Sequence, residues 1–235
     1  MSATLLTVLI ALPAVAVLIA LCFVMWTART SPATSRAAIL SGAVLALWGA
    51  LVAVLGRRGA FLQPDGDSFP PIGMALLVAF AVMFVAFGAS ASLRSLFTNQ
   101  RHLLRLNVWR LVGAVFLLLM LDGQMPALWA LPAGIGDIVV GATAFWVASR
   151  FPTPSGPSIA IAFNLFGLAD LAVAVGLGVM TSPGGLQVFR TFPTAELATR
   201  FPLVLVPAFL VPLACALHVI SLAQLIRGPW SHSRR

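Results

Sequence analysis

Of the 235 residues, 60% are hydrophobic and 9% are charged, and the mean hydropathy is +1.04. This excludes a water-soluble globular domain, in which about 25% of residues carry charge. The formal charge of +8 comes from fourteen arginines against six acidic residues, with no lysine. Because those arginines sit mostly in short segments between apolar runs, they read as membrane-orientation signals rather than as a nucleic-acid surface.

A membrane span needs about 20 residues to cross about 30 Å of hydrocarbon. The first apolar run, residues 5–26, starts without a basic residue and is too long for the apolar core of a signal peptide, so it is expected to remain as the first helix. Further helices are expected at 37–55, 71–93, 106–121, 125–149, 158–180 and 202–226. The fold class is therefore an all-α integral membrane protein, a bundle of about seven transmembrane helices forming one domain over residues 1–235.

Local features mark the joints. Gly42, Gly49 and Gly56 recur at sevens in the second helix, which predicts a packing seam. Residues 93–110 (LRSLFTNQRHLLRLNVWR) form a basic amphipathic stretch suited to the inner membrane surface before the fourth helix turns inward. Residues 181–200 open with the turn Ser182-Pro183-Gly184-Gly185, and a short interfacial helix is expected at 193–200. Cys22 and Cys215 fall inside apolar runs and read as small buried hydrophobes.

Orientation follows from the arginines, since cytoplasmic loops are enriched in basic residues. With the N-terminus outside and the C-terminus cytoplasmic, the inner segments hold Arg29, Arg36, Arg94, Arg101, Arg105, Arg150, Arg227, Arg234 and Arg235. The outer ones hold Arg57, Arg58, Arg190 and Arg200, offset by Asp65, Asp67, Asp122 and Glu196. The expected partners are the lipid bilayer and anionic headgroups on the cytoplasmic face.

The informative residues are those in the wrong solvent. A charged side chain at mid-membrane costs about 2.5–3.5 kcal/mol on the insertion scale. Asp137 falls near the middle of the fifth helix, Asp170 near the middle of the sixth, Arg110 in the inner part of the fourth and His218 in the inner half of the seventh, with Asn164 and Gln124 as uncharged companions. The aspartates are expected to be protonated, paired with Arg110 or hydrated in a cavity.

An internal echo joins the fifth and sixth helices. Gly134-Ile-Gly-Asp137-Ile-Val-Val-Gly141 is matched by Gly167-Leu-Ala-Asp170-Leu-Ala-Val-Ala174. Positions three before and four after each aspartate share its helical face, so small residues flank each carboxyl and let another backbone approach. Because consecutive helices are antiparallel, the two carboxyls are able to face each other near the midplane, and the sequence leaves open whether they do. Pro132 precedes Asp137, and Pro202, Pro207 and Pro212 precede His218. Inside a helix a proline frees the carbonyl four residues earlier, and that carbonyl needs a partner.

Several chemistries drop out. Retinal needs a Schiff-base lysine, and the chain has none. Bis-histidine haem ligation lacks a second deep histidine, because His102 and His232 lie in inner basic segments. No HExxH, phosphate-loop lysine motif or GxSxG occurs. No cofactor is expected.

Gly134-Ile-Gly136-Asp137 is a literal GxGD and resembles the motif of intramembrane aspartyl proteases, in which two aspartates share a proton and activate water. The likeness covers those four residues and a second aspartate. In the presenilin and signal-peptide-peptidase relatives the other aspartate precedes GxGD, whereas Asp170 follows it, and no tyrosine is present for their YD motif. Pro126-Ala127-Leu128 is similar to their PAL motif but stands before GxGD rather than after it. More widely, the run from Arg110 through Gly123, Pro126 and LPAGIGDIVVG to the proline-rich helix ending in His218 resembles a set of uncharacterised bacterial membrane proteins. That resemblance implies bacterial inner-membrane residence and no assigned activity.

The expected function is movement of a proton, cation or small solute, with Asp137 and Asp170 as ion sites, Arg110 as their counter-charge and His218 with Asn164 as relay or ligand pair. The alternative is a structural or accessory subunit whose buried polar groups hold helices together. A cavity reaching the aspartates favours the first, and a dry contact with Arg110 the second.

Overall fold

The computed structural model describes residues 2–64, 69–151 and 153–227. Asp65, Asp67, His232, Arg234 and Arg235, which entered the sequence reading, lie outside them. Among the described residues the fold is all-helical, and seven helices are long and apolar enough to cross a membrane.

The elements are α1 (Ala3–Thr27), α2 (Pro32–Arg57), α3 (Pro71–Ala89), α4 (Ala91–Ser95), α5 (Gln100–Arg105), a 3₁₀ stretch (Leu106–Gly113), α6 (Ala114–Leu121), α7 (Ala127–Arg150), α8 (Gly156–Thr181), a 3₁₀ turn (Ala195–Thr199), a π turn (Val206–Leu210) and α9 (Val211–Arg227). Their ends follow from capping chemistry. α2 begins five residues earlier than expected because Ser31 and Thr34 form a reciprocal capping box with Pro32 at the first helical position. α3 stops at Ala89 rather than at residue 93: Ser90 turns extended (φ −113°, ψ 106°), and its hydroxyl accepts from the Leu93 N–H at 3.1 Å to open α4. The short helix expected at 193–200 is the 3₁₀ turn Ala195–Thr199.

Two sequence expectations are corrected here. The basic stretch 93–110 is amphipathic but is not one continuous helix. It folds as α4, α5 and most of the 3₁₀ stretch, with Leu93, Leu96, Leu103, Leu104 and Trp109 buried, and the fourth membrane-capable run starts at Gln100 rather than at 106. Its apolar face packs inside the bundle, Arg94, Arg101 and Arg105 stay exposed, and Arg110 is buried. Cys22 is exposed and Cys215 half-buried, because both sit on outward-facing flanks of their helices.

α7 occupies the centre, packed against the 3₁₀ stretch, α6 and α8, while α8 in turn packs on α9. Its inward face carries Ala130, Ala133, Gly134, Gly136, Asp137, Val140, Gly141 and Ala144, all buried. Small side chains let neighbouring backbones close in, as interfaces between membrane helices require. The outer faces are the reverse of those of a soluble protein: Leu12, Leu47 and Val85 are 65%, 71% and 69% exposed. An apolar exterior of this extent suits hydrocarbon.

The proline-bearing segment before α9, expected as helix from residue 202, is broken. Residues 201–204 form turns, a π turn follows at Val206–Leu210, and α9 starts at Val211. Both carbonyls freed by proline find donors. Leu203 accepts from the Val206 N–H at 2.9 Å, and Ala208 accepts from the Trp48 indole N–H at 2.9 Å. The glycine seam of α2 lies beside the same segment: a Cβ at Gly49 would stand 3.5 Å from the Phe209 ring, and one at Gly56 would stand 2.6 Å from Val204 Cγ1.

Candidate functional site

The 3₁₀ stretch exists to place Arg110. At its start the Asn107 carboxamide donates to the Leu103 carbonyl at 3.0 Å. The chain then tightens to 3₁₀ geometry over eight residues, longer than the usual three or four. This carries Arg110 into the seam between α7, α8 and α9, where it is 0% exposed.

All its guanidinium nitrogens are engaged. Nε donates to Asp137 Oδ1 at 2.6 Å, and Nη2 donates to Asp170 Oδ2. Nη1 donates to the Gly167 carbonyl at 3.4 Å and to His218 Nε2 at 3.2 Å. The aspartate side chains are 9% and 6% exposed. The two carboxyls therefore do face the midline of the bundle, but with a guanidinium between them. An isolated buried charge is untenable, and here four hydrogen bonds, two of them ion pairs, answer the Arg110 guanidinium.

The polar chain continues. Arginine only donates, so His218 Nε2 accepts and Nδ1 donates to Asn164 Oδ1 at 2.9 Å. Asn164 Nδ2 donates to Ser221 Oγ at 2.8 Å, and Ser221 Oγ donates to Gln100 Oε1 at 2.7 Å. Gln100 Nε2 donates to Gln224 Oε1 at 2.9 Å, and Gln224 Nε2 donates to the Phe97 carbonyl at 2.5 Å. One unbroken file of hydrogen bonds thus runs from the ion triad to α5 and the last turns of α9.

Chemically the file is a poor proton wire. Passing a proton through Asn164 or Gln100 requires the carboxamide to become an imidic acid, whereas side chains such as histidine or water relay protons without that cost. What it does well is satisfy buried polar atoms while fixing helix register.

Glycines make the approach possible. A Cβ on Gly136 would strike the Asp170 carboxyl, one on Gly113 would strike Asp137 Cβ, and one on Gly167 would strike the His218 ring. The motif expected to let backbones approach does so, at Gly134 and Gly141 as well, where a Cβ would stand 2.9 Å from the Gly113 carbonyl and 2.7 Å from the Leu111 nitrogen.

Asp137, Asp170, Arg110, Asn164 and His218 are therefore gathered in one network. Gln124 is not part of it: it stays exposed in the α6–α7 turn, donating to Asp122 at 2.5 Å. Gln100, Ser221 and Gln224 belong to the network but were not singled out in the sequence. Their signal was periodic, since His218, Ser221 and Gln224 stand three apart on α9 and share one helical face. A cavity of about 950 Å³ lies between α3 and α9 and meets the network only at Gln224.

Residues 69–226 match the model of a family described as "Domain of unknown function (DUF8737)". The chain belongs to this family. The matched region begins just before α3 and ends within α9, so it contains the whole polar network and leaves α1 and α2 outside. No curated protein and no solved structure matches the chain.

Proposed function

We propose that this family member is a multi-pass protein of the bacterial inner membrane, N-terminus outside and C-terminus cytoplasmic, and that its polar centre is a structural clamp in a membrane subunit with an accessory or organising role. The observation that carries this reading is the fully buried Arg110 held by Asp137, Asp170, His218 and the Gly167 carbonyl. Each charged or polar side chain of the triad and the file has at least one protein partner. The arginine segregation read from the sequence supports the orientation. The aspartyl-protease reading is not retained, because a guanidinium stands where two catalytic carboxyls need a shared water.

A second reading rests on charge balance. With both carboxylates ionised the triad sums to −1, so one proton or monovalent cation would neutralise it, as in a coupled transporter. Reconstitution decides between the two. Purified protein is placed in liposomes under an imposed proton, sodium or potassium gradient, and flux is read with a pH-sensitive dye or ion-selective electrode. The clamp predicts flux equal to that of protein-free vesicles. Flux abolished by Asp137→Asn or Asp170→Asn in correctly folded protein would establish the transport reading instead.

A further inference from the structure

We infer that the cavity between α3 and α9 is a binding site for one anionic membrane phospholipid. This rests on the membrane placement proposed above and is independent of what the ion triad does. The cavity of about 950 Å³ has a graded lining. Phe80, Met83, Phe84, Val219 and Ile220 make an apolar trough, and Arg94, Ser95, Thr98 and Gln224 close one end of it. Phe84 and Val219 are 67% and 39% exposed, so the trough opens sideways onto the helix exterior. An acyl chain can enter from the bilayer without crossing a polar barrier.

Depth and charge identify the occupant. Along α9 the lining runs from Cys215 to Gln224, about 13 Å at helical rise, close to the thickness of one hydrocarbon leaflet, about 15 Å. The polar end coincides with the arginine-rich end of the bundle. There Arg94 Nη1 donates to the Phe87 and Gly88 carbonyls at 2.6 and 2.8 Å, fixing the guanidinium against the C-terminus of α3. Among the described residues Nε and Nη2 have no protein acceptor, and both are donors for a phosphate oxygen. Exposed Thr98 adds a hydroxyl beside it, while the Ser95 hydroxyl donates to the Ser92 carbonyl at 2.8 Å. A phospholipid of net negative headgroup satisfies the cation and the apolar trough together, which neither free phosphate nor a neutral hydrocarbon does.

The test uses the full-length chain in mild detergent and native mass spectrometry, with phosphatidylglycerol and phosphatidylcholine of identical acyl chains added in equal amounts. The wild type is expected to retain one lipid per chain, with phosphatidylglycerol preferred about fivefold, the effect of a single surface-facing arginine. Arg94→Gln is expected to keep the lipid and erase the preference. Gly88→Trp fills the head end of the trough and is expected to release both lipids. A Cβ at Gly88 meets nothing within 4 Å, so this variant has room to fold, which its melting curve checks. Retention unchanged by Gly88→Trp, or a phosphatidylglycerol preference unchanged by Arg94→Gln, overturns the proposal. So does displacement of the lipid by inorganic phosphate at equal concentration, which marks a simple anion site. A wild-type dimer that Gly88→Trp turns into a monomer, with lipid unchanged, assigns the trough to a second copy. Should Gly88→Trp not fold, Arg94→Gln alone decides by whether the headgroup preference survives.

Discussion

Arg110 and His218, 108 residues apart, meet in the bundle interior with Nη1 of the guanidinium donating to Nε2 of the imidazole at 3.2 Å. The direction of this bond determines every bond beyond it. An imidazole that accepts at Nε2 must donate from Nδ1, so Asn164 presents its oxygen to His218 and its nitrogen to Ser221. The ring is thus a hinge of hydrogen-bond polarity between the ion triad and the amide file. In ¹⁵N-histidine-labelled protein in micelles, His218 is expected to give the signature of a protonated Nδ1 and an unprotonated Nε2. The opposite tautomer would mean that Arg110 does not donate to it.

Arg110→Met is expected to be the most damaging substitution in the triad. It leaves two buried carboxylates without their cation, a loss of about 3–5 kcal/mol, and folded protein should be nearly absent by fluorescence-detected size exclusion. Asp137→Asn or Asp170→Asn alone keeps one ion pair and removes the excess negative charge, so each should be milder. The triple variant Arg110→Met/Asp137→Asn/Asp170→Asn should recover yield relative to Arg110→Met. If the triple is no better, the harm comes from lost packing of the arginine stem rather than from unpaired charge.

Gly136→Ala and Gly167→Ala place a methyl group against the Asp170 carboxyl and the His218 ring. Overpacking of this kind costs about 1–3 kcal/mol, so both should melt several degrees below the wild type. Gly176→Ala is the control: a Cβ there meets nothing within 4 Å, and removing a helix-interior glycine should stabilise by about 0.5–1 kcal/mol. Equal melting shifts in all three would show that helix propensity, not contact, governs them.

Trp48→Phe removes the donor to the Ala208 carbonyl that Pro212 leaves free. An unsatisfied buried carbonyl costs about 1–3 kcal/mol, and the melting temperature should fall accordingly. Pro212→Ala restores a backbone N–H within reach, so adding it to Trp48→Phe should regain part of the loss. Additive losses in the double variant would show that the indole contributes by packing alone.

Ser221→Ala breaks the file between Asn164 and Gln100. Asn164 keeps its bond to the Ala160 carbonyl at 2.8 Å, but the Gln100 side-chain oxygen loses its donor. A loss of about 1 kcal/mol is expected, with increased hydrogen exchange at the N-terminal end of α5 relative to α7. Uniform change across both helices would mean that the file does not tie α5 to α9.

What could be read from the sequence was whatever depends on composition and spacing within one segment. Apolar runs of membrane length gave seven helices, and the scarcity of charge inside them singled out Asp137, Asp170, Arg110 and His218, because each is costly in hydrocarbon wherever its neighbours lie. Asn164, on the same helix as Asp170, could be read alongside them. Helix ends were less legible: the capping hydroxyls of Ser31 and Ser90 override hydropathy, and the fourth membrane-capable run opens as α5 and passes into 3₁₀ geometry at Leu106. Which acceptors Arg110 takes was not legible at all. That outcome depends on how closely α7 approaches the 3₁₀ stretch and α8, which is set by the absence of side chains at Gly113, Gly136 and Gly167 on three separate segments. Ser221 and Gln100, ordinary polar residues in their own segments, become part of the centre only because packing brings α5 against α9. Spacing along the chain fixes which residues must find partners, and the three-dimensional fit of helix against helix decides which partners they find.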